Sequence, residues 1–127
     1  SRVVKSGFES LNAISQAAVN IAEEIGASNI VAETKSGATT ASIAACRPHM
    51  PIVAVTSQAR TAQQLALSYA TRSFVRPDGD KAGVGLAKEL FDSGYFDGLE
   101  AMRTVIVSGR QPGVIGETDT IRIRMIE

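Results

Sequence analysis

Three short runs constrain this chain more than anything else in it: Asn29 to Glu33 (NIVAE), Ile52 to Val55 (IVAV) and Thr104 to Ser108 (TVIVS). Their centres are apolar at successive positions rather than at every second one, which is the pattern of a strand covered on both faces. Between them lie segments with the three- and four-residue apolar recurrence of helices. Strands alternating with helices imply right-handed crossovers and a mostly parallel sheet. The expected fold is α/β: a three-layer sandwich whose mostly parallel five-stranded sheet carries helices on both faces. The 127 residues suit a single domain, residues 1–127 with a core over about 8–126, long enough to bury about two-thirds of the surface its unfolded form exposes.

In chain order, Phe8, Leu11, Ile14, Ala18, Ile21, Ala22 and Ile25 predict a helix from Gly7 to Ile25, with Gly26 placed to stop it. Ala38 to Arg47 is an alanine-rich helix ended by the Arg47-Pro48-His49-Met50-Pro51 segment, since proline disfavours helical geometry in the residue before it. Thr56 and Ser57 offer an N-cap to a helix whose stripe is Ala62, Leu65, Ala66, Tyr69 and Ala70. Ser73 to Arg76 is a short strand, Pro77 to Asp80 is turn chemistry, and Val84, Ala87, Leu90 and Phe91, with Gly94 as stop, mark a fourth helix. From Thr120 to Met125, Ile121, Ile123 and Met125 alternate with Arg122 and Arg124. One face of this strand, about 120–126, is expected to be wet, which places it at or near an edge.

The chemistry concentrates where the first strand turns into the second helix. Gly37 takes positive φ without steric penalty, so the chain turns sharply there, and the helix that follows opens with backbone N–H groups that lack intrahelical partners. Thr34, Ser36, Thr39 and Thr40 bring hydroxyls and Lys35 an ammonium to the same corner, an arrangement able to meet a small oxyanion from several directions. The plainer alternative is that Ser36 or Thr39 caps the helix and Lys35 is solvated surface. The GxxxxGK[ST] spacing of a nucleoside-triphosphate loop is absent. Roughly three or four charge-assisted hydrogen bonds give about 5–10 kcal/mol gross, less an association cost of at least about 4 kcal/mol, where micromolar affinity takes about 8 kcal/mol net. A useful ligand therefore needs a second foothold. The glycine-rich loop Gly109 to Gly116, with Arg110 and Gly113 inside it, supplies one. Both loops follow carboxyl ends of strands, where ligands of such sheets sit.

Other chemistries find little support. Thirteen basic and thirteen acidic residues balance without long runs, against a general nucleic-acid or anionic-membrane surface. No apolar run approaches the length of a membrane span, and no signal peptide is recognised before the first helix. Cys46, the one cysteine, reads as a small buried helix thiol in a reducing compartment, so a cytoplasmic location is expected. His49 lies between two prolines with no sequence-adjacent partner and reads as surface. Glu117 and Asp119 flank the second loop and read as solvated acids. No residue set resembles a reaction centre or a metal site. The first residue is Ser1 rather than Met, and the expectation is a chain processed, cut or cloned from something larger.

Four pieces in register, the strand-TKSGATT-helix unit, RPHMPIVAVT, TAQQLAL and GRQPGVIGETDT, resemble the C-terminal domain of pyruvate kinase. The resemblance runs from about Asn12 to the end. It implies a regulatory domain of an enzyme that moves phosphate from phosphoenolpyruvate to ADP with magnesium and potassium, all catalytic groups lying on a separate barrel domain. This chain alone is then expected to be inactive, with no cofactor of its own. In members activated by sugar phosphates the matching loop holds a phosphate. Carried over, the contacts are Thr34, Lys35, Ser36, Gly37 and Thr39, with Arg110, Gly113 and Gly116 in the loop that closes over the sugar. The resemblance also implies a tetramer, with the edge strand ending in Met125 as an interface. One departure matters: no tryptophan stands between Arg76 and Gly83, where some members place one beside a second phosphate, although Arg76, Lys81 or Arg110 supply charge. Fructose 1,6-bisphosphate, a monophosphate such as ribose 5-phosphate, glucose 6-phosphate or AMP, and no effector at all stay open. So do two other roles, a free-standing phosphate-ligand sensor and a purely structural tetramerisation domain.

Overall fold

In a computed structural model the described residues are 7–108 and 120–127, with side chains from Ser10 onward. The elements are α1 (Gly7–Ile25), β1 (Asn29–Glu33), α2 (Ala38–Ala45), β2 (Ile52–Thr56), α3 (Ala59–Leu65), β3 (Thr71–Val75), α4 (Ala82–Asp92), β4 (Met102–Ser108) and β5 (Thr120–Ile126). They form one five-stranded sheet in the order β3-β2-β1-β4-β5. The first four strands run parallel, and β5 lies antiparallel to β4.

The continuous apolar runs have a direct cause. Successive residues of β1 point to opposite faces, and both faces are covered. Ile30 and Ala32 pack with Ala18, Val19 and Ala22 of α1 and Ile43 and Ala44 of α2. Val31, between them, packs with Leu86, Ala87 and Leu90 of α4. Each of these aliphatic side chains larger than alanine, once buried, is worth about 1.5–3 kcal/mol. The α1 stripe behaves as its spacing predicts: Leu11, Ala18 and Ala22 are buried, and Ile14, Ile21 and Ile25 pack against the same core. The Phe8 side chain lies outside the described residues. Deep in the sheet, Thr104 donates its hydroxyl to the Asn29 side-chain oxygen (2.5 Å), and Asn29 donates to the Met102 sulfur (3.4 Å). This satisfied polar pair joins β1 to β4 where Asn29 sits opposite Thr104.

Three local expectations need correction. The third helix ends at Leu65, not near Ala70, and is capped by Gln58 with no side-chain cap bond, although Thr56 Oγ1 accepts the Gln58 amide. The chain must reverse to enter the sheet parallel to β2. It does so over 66–70, with Ala70 at φ 52° and its carbonyl accepting the Ile52 amide at 2.9 Å. Leu67 is left 90% exposed, and Tyr69 lies under the Arg47 guanidinium (4.5 Å) instead of in a helical stripe. Because of that pairing the third strand starts at Thr71, two residues before the expected Ser73. The second helix closes at Ala45 with Cys46 as its C-cap, and Arg47, before Pro48, takes φ 52°.

The fifth strand is at an edge as expected, but neither face is uniformly wet or dry: Ile121 packs against the α1 and α2 core while Arg124, on the other face, is exposed. Arg122 pairs opposite Ile106, on the α4 side, where Ile126 is buried and Arg122 is largely covered. Ile123 and Met125 point to the other face and stay 49% and 48% exposed. Alternation sets the two faces of the strand; cover on both is confined to its ends, at Ile121 and Arg122 and again at Ile126.

Candidate functional site at the carboxyl ends of β1 and β4

Strand order reverses at β1. The chain steps outward through β2 and β3, then returns by α4 to β4 on the other side of β1. The carboxyl ends of β1 and β4 are therefore neighbours, with Ala32 opposite Val107, at the kind of crevice where α/β sheets bind ligands.

Residues 34–37 leave this crevice toward α2. The Thr34 amide donates to the Val55 carbonyl (3.0 Å), which holds the loop's start on β2. Gly37 caps α2 in the left-handed region, at φ 93° and ψ −5°. A side chain there would be strained by the backbone alone, and a Cβ would also stand 3.3 Å from Leu65 Cδ2 of α3. Thr61 of α3 donates its hydroxyl to the Lys35 carbonyl at 2.8 Å, so the turn is seated on α3.

The hydroxyls of the loop serve the loop's own amides. Thr34 Oγ1 accepts from the Gly37 amide (2.8 Å), and Ser36 Oγ accepts from the Ala38 amide (3.2 Å). A bound anion would replace these contacts or receive the hydroxyl protons. Ser36 is exposed, Thr34 and Lys35 are half-buried, and Thr39 is buried at 4% exposure. Thr40 is fully buried, and its hydroxyl is one of three buried side-chain groups without a partner among the described residues. Lys35 Nζ stands 3.5 Å from Asp78 Oδ2. Thr34, Lys35, Ser36, Gly37 and Thr39 are thus together at one corner. Arg110, Gly113 and Gly116, with Glu117 and Asp119, lie outside the described residues.

Of the charges available for a second phosphate, Arg76 is committed to Glu89 by two hydrogen bonds, 2.7 and 3.3 Å. That contact raises the Arg76 pKa and lowers that of Glu89. Lys81 is exposed at the N-cap of α4. His49 is at the surface, but it does have a carboxylate neighbour that sequence distance concealed, Glu23 of α1 at 3.6 Å from Nδ1. Cys46 is half-buried, and burial pushes its thiol pKa up, away from thiolate chemistry. Among the described residues no group of three or more His, Cys, Asp or Glu side chains gathers as a metal site, and no helix is long and apolar enough to cross a membrane.

A second polar corner, on the α4 side of the same crevice, was not anticipated. Glu33 Oε2 accepts the Gly83 amide at 2.6 Å, and Arg122 Nη2 reaches both Glu33 oxygens (3.5 and 3.4 Å) and Ser108 Oγ (3.4 Å). A Cβ on Gly83 would collide with the Glu33 carboxylate. The one hint in the sequence is a glutamate closing an otherwise apolar strand.

The fold and this corner define a class: an α/β domain with its polar loops at a strand-order reversal. The chain belongs to the pyruvate kinase alpha/beta domain family, which matches residues 12–124. It is 32% identical over 116 residues to the pyruvate kinase of Mycobacterium intracellulare and 32% over 118 to that of Corynebacterium efficiens, covering 89% of this chain and 24% of either relative. Pyruvate kinase 2 of Synechocystis is 32% identical over 122 residues, which is 91% of this chain and 20% of that protein. The chain thus spans about a quarter of the length of the first two relatives.

Proposed function

We propose that this domain is the regulatory, effector-binding and oligomerisation part of a cytoplasmic pyruvate kinase. The whole enzyme moves phosphate from phosphoenolpyruvate to ADP, giving pyruvate and ATP in glycolysis, on a barrel domain outside this chain. Magnesium and potassium belong with that barrel, and no residue here is assigned to them. The domain itself takes the phosphate of a sugar-phosphate or nucleoside-monophosphate effector at Thr34, Lys35, Ser36, Gly37 and Thr39. Arg110, Gly113 and Gly116 close over the rest of the ligand. Neither nucleic acid nor membrane is a partner.

The observation that carries this reading is the left-handed Gly37, which turns the chain from the end of β1 into the start of α2 and sets the Thr34 and Ser36 hydroxyls against the amides of that turn. An effector that binds one state of an oligomer better than another shifts the balance between them. Oligomers are expected to form through β5, which is the last strand of the sheet among the described residues and whose Ile123 and Met125 are half-exposed.

Titration calorimetry with fructose 1,6-bisphosphate, ribose 5-phosphate, glucose 6-phosphate and AMP tests the proposal. Binding should weaken by about 1.5–3 kcal/mol in Ser36→Ala; unchanged affinity removes the loop from the site. A structural role without effector has one observation in its favour: the Gly37 and Ala38 amides already have partners in Thr34 and Ser36. No heat with any of the four ligands would select that role.

A further inference from the structure

We propose that Glu33 couples the 34–37 loop to the edge strand β5, so that displacement of one is felt at the other. The ligand half of this proposal rests on the phosphate reading above; the mechanical half does not. Glu33 is the last residue of β1 and is bonded directly to Thr34, so the loop cannot shift its first residue without moving the Glu33 backbone. The Glu33 side chain points to the opposite sheet face from α2 and is held on two elements at once. The Gly83 amide fixes one oxygen at the start of α4, where the missing Cβ is what lets the carboxylate approach. The Arg122 guanidinium bridges both oxygens and reaches on to Ser108 at the end of β4.

Two features make this cluster responsive rather than inert. Its Arg122 contacts are all long, 3.4–3.5 Å, and Arg122 Nε is buried without a partner among the described residues. Among the described residues the guanidinium thus meets its acceptors only at the outer limit of hydrogen-bond distance, and small movements of Glu33 change what it gains. Second, both groups are mostly shielded, with side chains 24% and 18% exposed for Arg122 and Glu33, so water screens their interaction less than at an open surface. Because Arg122 stands beside Ile123 in β5, the strand proposed to meet a second copy is one residue removed from the loop's anchor. Binding free energies coupled in this way act in both directions.

Amide hydrogen exchange on this chain, with and without inorganic phosphate, tests the coupling. Arg122→Met should speed exchange at Gly37 and Ala38, which Arg122 does not touch, by about fivefold relative to the α1 amides of residues 18–22. Glu33→Gln should speed exchange through β5, and the double variant should do no more than the larger single one. Acceleration confined to β5 and the first turn of α4 overturns the proposal, as does an equal rise in α1, which reports only global loosening. If either variant fails to fold, the other reads the same coupling from its own end. Phosphate should slow exchange at 34–37 in the unaltered chain and, less strongly, in β5. If phosphate changes neither, the effector reading fails while the Arg122→Met comparison still decides the coupling.

Discussion

Two helices begin at the same end of the sheet, α2 on one face and α4 on the other, and they meet the need for negative charge differently. At α4 the chain supplies its own anion: Glu33 accepts the Gly83 amide and is flanked by Arg122. At α2 the Gly37 and Ala38 amides donate to neutral hydroxyl oxygens, from Thr34 and Ser36, and the nearby carboxylate of Asp78 faces the Lys35 ammonium instead. Helix starts carry the same partial charge wherever they occur, so the contrast lies in what the sequence places nearby. A carboxylate built into one start closes it. Hydroxyls at the other satisfy two of its amides without adding charge.

The comparison breaks most sharply at Glu33. Glu33→Ala should cost about 2–3 kcal/mol in urea unfolding, because it strands a shielded guanidinium and an amide together. A loss below about 0.5 kcal/mol would mean that the α4 corner is not closed by charge at all. Next is Gly37→Ala, expected to cost about 1–2 kcal/mol from the left-handed backbone, together with weaker phosphate binding by calorimetry. The two glycines of α4 separate close approach from helix propensity. A Cβ added at Gly85 would meet nothing within 4 Å, so Gly85→Ala should stabilise by about 0.5–1 kcal/mol, whereas Gly83→Ala should destabilise in the same assay. The smallest effect belongs to Ser36→Ala, which should leave unfolding within about 0.5 kcal/mol of the parent while its phosphate titration changes. A large stability loss there would make Ser36 a cap first and a ligand group second.

Much of the architecture was legible because it depends on period alone. The end of α1 at Ile25 follows from an unbroken apolar stripe closed by Gly26 at φ 69°, and the double-sided burial of β1 and β2 follows from runs without alternation. What escaped depends on placement in space. The end of α3 is set by where β3 must enter the sheet, and the cover over Arg122 by its contacts with Glu33 and Ser108. Of the candidate site, the corner at 34–39 could be read because its residues are contiguous. Glu33 and Arg122 are 89 positions apart, and nothing local to either marks the pairing.

The Asn29–Thr104 contact has a kinetic corollary. It joins residues separated by 75 positions, whereas β1, β2 and β3 follow one another through short crossovers. Non-local closure of this kind is slow because chain entropy is lost before the contacts repay it. A half-assembled chain holding only the first three strands would own the Gly37 turn but not the wall beside it. The strand ends at Ala32 and Val107 become neighbours only with the docking of β4, so a ligand that needed both would find them only on a chain whose sheet has closed.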